Sequence, residues 1–268
     1  MKKYINFNYK YNSSVVERIG LIKDAGFDGV FVYSQYNPEE YIPAILDSGL
    51  EIETLHLPYK LMKDGVCLDS KYVNVIWTSK SDAESYVTEL MGQIDLAATY
   101  KIPTVVMHVT GGSTPPPICQ LGIDRIKKIL EYCEDRNINL CLENLRCLEY
   151  IQTLFENVKS SHLGFCFDTG HANYMTKNVT DFPWQYFGSR LFCLHLNDNT
   201  SIHDSHAIPL SGNIDWAPLM NTIFSFRNSI NLTLEVRANE QELSTISEYE
   251  FLKRGFDSLV VLESLKKG

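Results

Sequence analysis

The chain has 268 residues, 44% of them hydrophobic, which is enough for one large α/β domain with a full core. Its 33 Asp and Glu residues outnumber 24 Lys and Arg residues and give a formal charge of −9, a surface that repels nucleic-acid backbones. We therefore expect no nucleic-acid partner. No apolar stretch reaches the ~18 residues of a membrane span, so we expect no membrane association.

The cysteine pattern and the first residues bear on the cellular compartment. The seven cysteines form no C-x-x-C pair, and an odd number without zinc-finger spacing is typical of reduced thiols. The first residues, MKKYINFNYK, lack the long apolar region of a signal peptide. Together these features predict a cytoplasmic protein.

Short apolar runs alternate with helix-patterned stretches along the whole chain. Eight runs are predicted strands: 4–8, 29–33, 52–56, 104–109, 139–143, 163–168, 191–196 and 231–236. The stretches between them are predicted helices: 14–25, 38–48, 82–100, 122–136, 148–159, 180–188, 215–228 and 240–264. A long irregular stretch, 57–80, follows the third strand and is expected to cover the active face.

Eight units of about 33 residues each predict a (β/α)8 TIM barrel that occupies residues 1–268 as a single domain. A doubly wound open sheet is the alternative. Such a sheet usually has fewer strands and a glycine-rich turn after the first one, and no G-x-G-x-x-G follows the first strand here.

The third to the eighth predicted strands all end in side chains that can bind a metal ion. These are His56, His108, Glu143, Asp168, His195 and Glu235. In a barrel, the C-terminal ends of the strands converge on one rim. Each residue alone is more often structural, but three carboxylates and three imidazoles on one rim require a cation to balance their charge. The pattern therefore predicts a divalent-metal site.

Cysteines stand two residues before the strand-end residue on three of these strands, at positions 141, 166 and 193. Residues two apart share a face of a strand, so these thiols are predicted to lie one layer, about 6–7 Å, below the metal-binding groups. We interpret them as packing residues.

A second polar cluster is predicted after the sixth and seventh strands. It contains His171, which follows Asp168 by three residues, together with Asp204 and His206. Asp204 and His206 either ligate a metal directly or contact the substrate. The alternative is a polar loop shaped by Pro209 and Gly212.

The motifs LHLPY, MHVTGG, LENL, DTGHAN, HLNDN and D-x-H…GNIDW follow one another between about residues 52 and 237. Together they resemble the xylose-isomerase-like barrels, which include sugar-phosphate isomerases and epimerases and the type-IV apurinic endonucleases. The isomerase/epimerase branch implies one divalent ion on Glu143, Asp168, His195 and Glu235, with His171 touching the substrate. The endonuclease branch implies three zinc ions, held additionally by His56, His108, His171, Asp204 and His206.

The sequence departs from both branches at specific places. VTGGSTPPP after His108 and NLRCLEY after Glu143 lack the glycine-rich DNA-contacting run expected of the endonucleases. Ser201 stands where the ketose epimerases are expected to have an arginine. The second departure leaves the identity of a sugar substrate open.

The hypothesis that follows is metal-assisted proton transfer next to the carbonyl of a sugar or sugar phosphate. An ion of Mn²⁺, Zn²⁺, Co²⁺ or Mg²⁺ would stabilise the developing enediolate, with more than one Zn²⁺ as the alternative. Glu143 and Glu235 are the predicted acid/base pair. Arg146 and Arg237 are predicted to bind hydroxyls or a phosphate, and surface salt bridges are their alternative role.

Several functions remain in competition with a sugar isomerase or epimerase of carbohydrate metabolism. An inosose-type dehydratase would use the same enediolate and the same ligands on a keto polyol. A trinuclear-zinc phosphodiesterase or apurinic endonuclease would use all three metal positions. A non-catalytic sugar-binding barrel is disfavoured by the intact glutamate pair. The sequence leaves the oligomeric state open, including a homo-oligomer.

Overall fold

The computed structural model describes residues 1–177, 179 and 181–266. Within them the strands are β1 (Lys3–Asn6), β2 (Gly29–Tyr33), β3 (Glu51–His56), β4 (Leu61–Lys63), β5 (Val66–Asp69), β6 (Thr104–Met107), β7 (Asn139–Glu143), β8 (Leu163–Asp168), β9 (Leu191–His195) and β10 (Leu232–Leu234). The helices are α1 (Val15–Ala25), α2 (Ile42–Asp47), α3 (Asp82–Thr99), α4 (Gln120–Glu134), α5 (Leu148–Asn157), α6 (Thr169–His171), α7 (Trp184–Phe187), α8 (Trp216–Phe226), α9 (Glu240–Thr245) and α10 (Glu248–Ser264).

Eight of these strands form one parallel sheet in the order β10-β1-β2-β3-β6-β7-β8-β9, and β4 pairs with β5 in a separate antiparallel hairpin. The ends of the sheet meet through a parallel bridge between Leu196 and Leu234, where Leu196 N–H donates to the Thr233 carbonyl at 2.8 Å. The sheet therefore closes on itself, and the prediction of a (β/α)8 barrel is confirmed.

The barrel strands are buried on both faces because helices cover the outside and side chains fill the inside. All six residues of β8 are buried, which explains why GFCFD reads as a continuous apolar run up to Asp168. Inside the barrel, Val106 and the thiols of Cys141, Cys166 and Cys193 form a small packed cluster.

Local sequence signals account for the helix ends. The Ser14 side chain accepts the Glu17 N–H at the start of α1, and Gly26 ends the helix in the left-handed region with φ 107°. Asn239 and Glu242 form a capping box at the start of α9. In the described part of the chain, no helix combines the length and apolar character needed to cross a membrane.

Several predicted boundaries need correction. The stretch 57–80 contains the β4–β5 hairpin and a 3-10 helix, Tyr72–Trp77. The predicted helix 38–48 is divided into a 3-10 turn, Pro38–Glu40, and α2, and 240–264 is divided into α9 and α10. Of the predicted helix 180–188 only α7 is helical, followed by a 3-10 turn, Gly188–Arg190; position 180 lies outside the described residues.

Candidate functional site

The six strand-end residues predicted as metal ligands come together at one rim of the barrel. As predicted, Glu143, Asp168 and His195 are the last residues of β7, β8 and β9. His56 is the last residue of β3. His108 and Glu235 follow the last residues of β6 and β10 directly, because those strands are shorter than predicted. All six side chains are buried.

Glu143 is at the centre of this group and is fully buried. Its Oε2 lies 3.0 Å from His56 Nε2 and 3.2 Å from His108 Nε2. Its Oε1 lies 3.1 Å from His171 Nδ1 and 3.4 Å from His195 Nδ1. One carboxylate thus faces four imidazoles, two on each oxygen, which is the arrangement of a ligand that can bridge neighbouring ions.

The groups around Glu143 form two candidate metal positions. In each, one ligand atom from every member lies within 4.8 Å of the others. The first consists of Glu143, Asp168, His195 and Glu235, and the second of His56, His108 and Glu143. Because Glu143 belongs to both, the two positions are neighbours.

Side chains behind the ligands fix their orientation. Asp168 Oδ1 accepts the His171 N–H at 2.6 Å, and its Oδ2 accepts the amide of Asn197 at 2.9 Å. Tyr33 OH donates to Glu235 Oε1 at 2.6 Å. The His195 ring stacks on Phe31 with 4.6 Å between ring centroids. Such supporting contacts hold metal ligands in productive geometry.

The donor set fits a divalent cation. Among the described residues, several buried ligand atoms make no hydrogen bond: Glu143 Oε1, Glu235 Oε2, Asp204 Oδ1 and both ring nitrogens of His195. His195 Nδ1 and Glu235 Oε2 approach to 2.9 Å without hydrogen-bond geometry. Buried polar atoms are almost always satisfied. A cation among Glu143, Asp168, His195 and Glu235 would satisfy Glu143 Oε1, Glu235 Oε2 and one nitrogen of His195 together.

A third candidate metal position lies beside the first two. His171 Nε2 is 3.3 Å from Asp204 Oδ2, and His206 Nε2 is 3.2 Å from the same oxygen. The loop that carries Asp204 and His206 is fixed by Asp198, whose Oδ2 accepts the Trp216 indole N–H at 2.9 Å. The two residues predicted from the D-x-H motif are thus brought next to His171.

Burial and mutual contact set the charges in the site. Burial lowers the pKa of His108 to about 4, so this imidazole is neutral near pH 7, as metal binding requires. Burial alone would raise the pKa of Glu143 and Glu235, but the imidazoles around them, His195 first, outweigh it and lower both values. Burial likewise favours neutral His206, but the hydrogen bond to Asp204 raises its pKa to about 9.

A cavity of about 520 Å³ opens above the candidate metal ligands. It is lined by His108, His171, Asp204, His206 and Glu235. Arg146 and Arg237 line the same cavity, and neither forms an ion pair within the described residues. The structure therefore does not support the alternative role of these arginines as partners in surface salt bridges. A larger cavity of about 990 Å³ lies at the opposite end of the barrel, beside Glu51 and Glu53.

The predicted position of the cysteines is wrong for one of the three. Because β7 and β8 are staggered, Cys166 pairs in register with Glu143, and its sulfur lies within 4.8 Å of ligand atoms of Glu143 and His195. Burial raises the pKa of the Cys166 thiol well above its ordinary value, so the group stays neutral. We therefore keep the interpretation of Cys166 as a packing residue.

Sequence reasoning missed several residues that position the ligands, among them Tyr33, Asn144 and Asn197. Asn144 follows Glu143 directly; its side chain accepts the Asp168 N–H at 2.8 Å and donates to the Asp168 carbonyl at 2.9 Å. Asn144 and Asn197 stand one and two residues beyond strand-end ligands, in LEN and HLN. An asparagine just after a strand-end ligand, occurring twice, is the sequence signal that could have identified Asn144 and Asn197. No such signal marks Tyr33.

Comparisons with known proteins agree with this geometry. The model of the xylose isomerase-like TIM barrel family matches residues 19–255. The uncharacterized protein y4fM of Sinorhizobium fredii is 23% identical, over 90% of this chain and 86% of that protein. A probable endonuclease 4 of Mycoplasma capricolum is 27% identical, over 62% of this chain and 65% of that protein.

Solved structures of sugar epimerases share the fold. D-psicose 3-epimerase superposes with a TM-score of 0.76 at 14% identity and covers 100% of both chains. The 3-keto-D-glucoside 4-epimerase YcjR from E. coli superposes with a TM-score of 0.72 at 17% identity, covering 98% of this chain and 99% of the other. Since the family model spans most of the sequence and the barrel has the same architecture, this chain belongs to the xylose isomerase-like TIM barrel family.

Proposed function

We propose that this protein is a divalent-metal-dependent sugar isomerase or epimerase that moves a proton on the carbon next to a carbonyl. The observation that carries the proposal is the four-residue group Glu143, Asp168, His195 and Glu235, whose ligand atoms lie within 4.8 Å of one another beneath the cavity. The cavity volume of about 520 Å³ suits a small carbohydrate. The epimerase structures with the same fold are named for D-psicose and for a 3-keto-D-glucoside.

The chain's own residues divide the work as follows. Asp168 and His195 are held rigidly by Asn197 and Phe31 and serve as ligands. Glu235 lines the cavity, so its free oxygen can take a proton from the substrate carbon or return one, while Tyr33 fixes the other oxygen. Glu143 is the partner in this transfer, and His171 donates to a substrate oxygen from the cavity wall.

A bound divalent ion would supply Lewis-acid stabilisation of the negative charge that develops on the substrate oxygen, typically worth several kcal/mol. Glu143 and Glu235 both approach His195 Nδ1 from different strands, at 3.4 Å and 2.9 Å. In the proposed reaction they act on opposite sides of the substrate carbon. Proton removal by one glutamate and return by the other interconverts the two sugars.

The first test is metal content per chain, followed by turnover of a panel of ketoses, their phosphates and inososes. We expect an ion that Asp168→Asn removes and that Asp215→Asn leaves, because Asp215 is an exposed carboxylate at the start of α8. Glu235→Gln should abolish exchange of the substrate proton with solvent while the sugar still binds. Absence of metal under every loading condition would contradict the proposal, and loss of water from the product would point to a dehydratase.

A second candidate, hydrolysis of a phosphate ester by several zinc ions, is favoured by one specific observation. Two further ligand groups, His56–His108–Glu143 and His171–Asp204–His206, adjoin the first, and an enzyme with one ion has no need of them as ligands. Zinc stoichiometry separates the candidates. Two or three zinc ions per chain, with the extra ions lost in His108→Ala and His206→Ala, and cleavage of a phosphodiester would favour hydrolysis.

A further inference from the structure

Four positively charged side chains line the cavity: Lys60, Lys71, Arg146 and Arg237. Among the described residues, none of them is paired with a carboxylate, although the chain carries nine more acidic than basic residues. Arg146 donates to the Met175 carbonyl at 3.4 Å, and Lys60 lies over the Tyr59 ring. Unpaired cations gathered at one opening of an acidic protein indicate an anionic ligand.

Lys71 lies beside a glycine-rich loop that follows β6. A Cβ on Gly112 would lie 2.7 Å from Cε and 3.2 Å from Nζ of Lys71, and Gly112 has φ 75°. Any other residue would therefore push the ammonium group away. The neighbouring Gly111 is fixed by Asn74, which accepts its N–H at 2.8 Å and donates to its carbonyl at 2.9 Å.

The same loop carries hydrogen-bond donors at residues that line the cavity. Gly112 and Ser113 both line it, and within the described chain neither backbone N–H donates a hydrogen bond to a protein group. The Ser113 hydroxyl adds a further donor. Adjacent free N–H groups, a hydroxyl and an ammonium group form a typical environment for a phosphate.

We propose that Lys71, Gly112 and Ser113 form a cradle for the phosphate group of a phosphorylated sugar, whose reacting carbons face Glu235. This inference deepens the proposed function and rests on it for the sugar part of the substrate. Arg146, Arg237 and Lys60 add positive potential around the cavity opening. A phosphate dianion matches this surplus of positive charge better than a neutral sugar does. Its attraction to the four cations offsets the repulsion among them, which a neutral ligand cannot do.

The test measures binding of a hexose 6-phosphate, the same hexose without phosphate, and inorganic phosphate to the metal-loaded full-length protein by calorimetry. We expect the hexose 6-phosphate to bind at least tenfold more tightly than the hexose. Lys71→Met should weaken its binding about tenfold and leave the hexose within about twofold. Ser113→Ala should produce a smaller loss. Lys63→Met removes an exposed lysine of the hairpin that does not line the cavity and should change neither affinity.

Three outcomes would overturn the cradle. The hexose and its phosphate could bind equally to the unmodified protein. Lys71→Met and Lys63→Met could have the same effect, which would reduce the result to net charge. Phosphate binding could require Asp168 but not Lys71, which would put the anion on the metal. Phosphate binding through Lys71 without any sugar turnover would instead refute the proposed isomerase and leave the cradle standing.

Discussion

Two carboxyl groups at opposite ends of the barrel, that of fully buried Glu143 and that of half-buried Glu53, show how surroundings decide the behaviour of one residue type. Glu143 faces four imidazoles, which outweigh the burial penalty and lower its pKa. Among the described residues, the hydrogen bonds to Glu53 come from neutral groups, the amide of Asn231 at 2.9 Å and the hydroxyl of Thr233. Burial therefore dominates and raises the pKa of Glu53 to about 7.

The raised pKa of Glu53 predicts a pH dependence of stability. The folded state binds this proton more tightly than the unfolded state, so the stabilisation is full below about pH 4.5 and is lost as the pH rises through 7. Glu53→Gln removes the ionising group. The gain in unfolding free energy from this substitution should be larger at pH 8 than at pH 5 by roughly 2 kcal/mol, measured by urea unfolding in chelator.

Glu51→Gln on the same strand is the matched control. Glu51 is exposed, and its hydrogen bonds from Lys2 and Tyr4 lower its pKa, so its titration is complete below the range tested. Its effect should be the same at pH 5 and pH 8. Equal pH profiles for Glu53→Gln and the unmodified protein would show that Glu53 is ionised in the folded state like any exposed carboxylate.

At the scale of elements, the barrel rim depends on how α4 packs on the 3-10 helix Tyr72–Trp77. Trp77 is buried, and its indole N–H donates to the Val109 carbonyl at 2.6 Å. A Cβ on Gly122 of α4 would lie 2.1 Å from Cε3 of this ring. The indole hydrogen bond fixes the ring, so α4 itself must move if Gly122 is enlarged.

Gly122→Ala should therefore destabilise the protein by about 1–2 kcal/mol, the overpacking cost less the helix-propensity gain of alanine. Gly92→Ala on the exposed face of α3 is the control, since a Cβ there meets no atom within 4 Å. That substitution should stabilise by roughly 0.5–1 kcal/mol. Urea unfolding midpoints measure both, and a stabilising Gly122→Ala would contradict the tight packing of α4 on Trp77.

At the scale of the whole molecule, the candidate site joins strands that are far apart in sequence, so binding of the proposed metal would be coupled to folding. An ion that binds only the folded barrel at 100 times its dissociation constant adds about 2.7 kcal/mol of stability. For a chain of this length that corresponds to a rise of about 5–10 °C in Tm.

Thermal unfolding with and without chelator checks this expectation. The rise should disappear in Asp168→Asn and persist in Asp215→Asn, whose carboxylate is exposed. A chelator effect of equal size in Asp168→Asn would mean that the stabilising ion binds elsewhere.

The sequence by itself determined the barrel and placed the candidate site residues at strand ends, since strands and strand ends are local features. Each candidate ligand on β7, β8 and β9 closes an apolar run, and the barrel topology then requires these strand ends to meet. Local patterns also predicted the D-x-H pair, Asp204 and His206, but left its role open between metal ligation and substrate contact. The hairpin β4–β5 was not predicted, because β5 is exposed throughout, β4 is at most half-buried, and neither has the alternation of a packed strand.

Only the tertiary structure decided the relations between strands. The stagger of β7 against β8 brings Cys166 level with Glu143, and no local pattern encodes that shift. The contacts of Tyr33 with Glu235 and of Lys71 with Gly112 likewise join residues distant in sequence. The short-range periodicity of the sequence determines which side chains reach the rim. Barrel shear and loop packing depend on long-range contacts, and they determine which of those side chains touch each other.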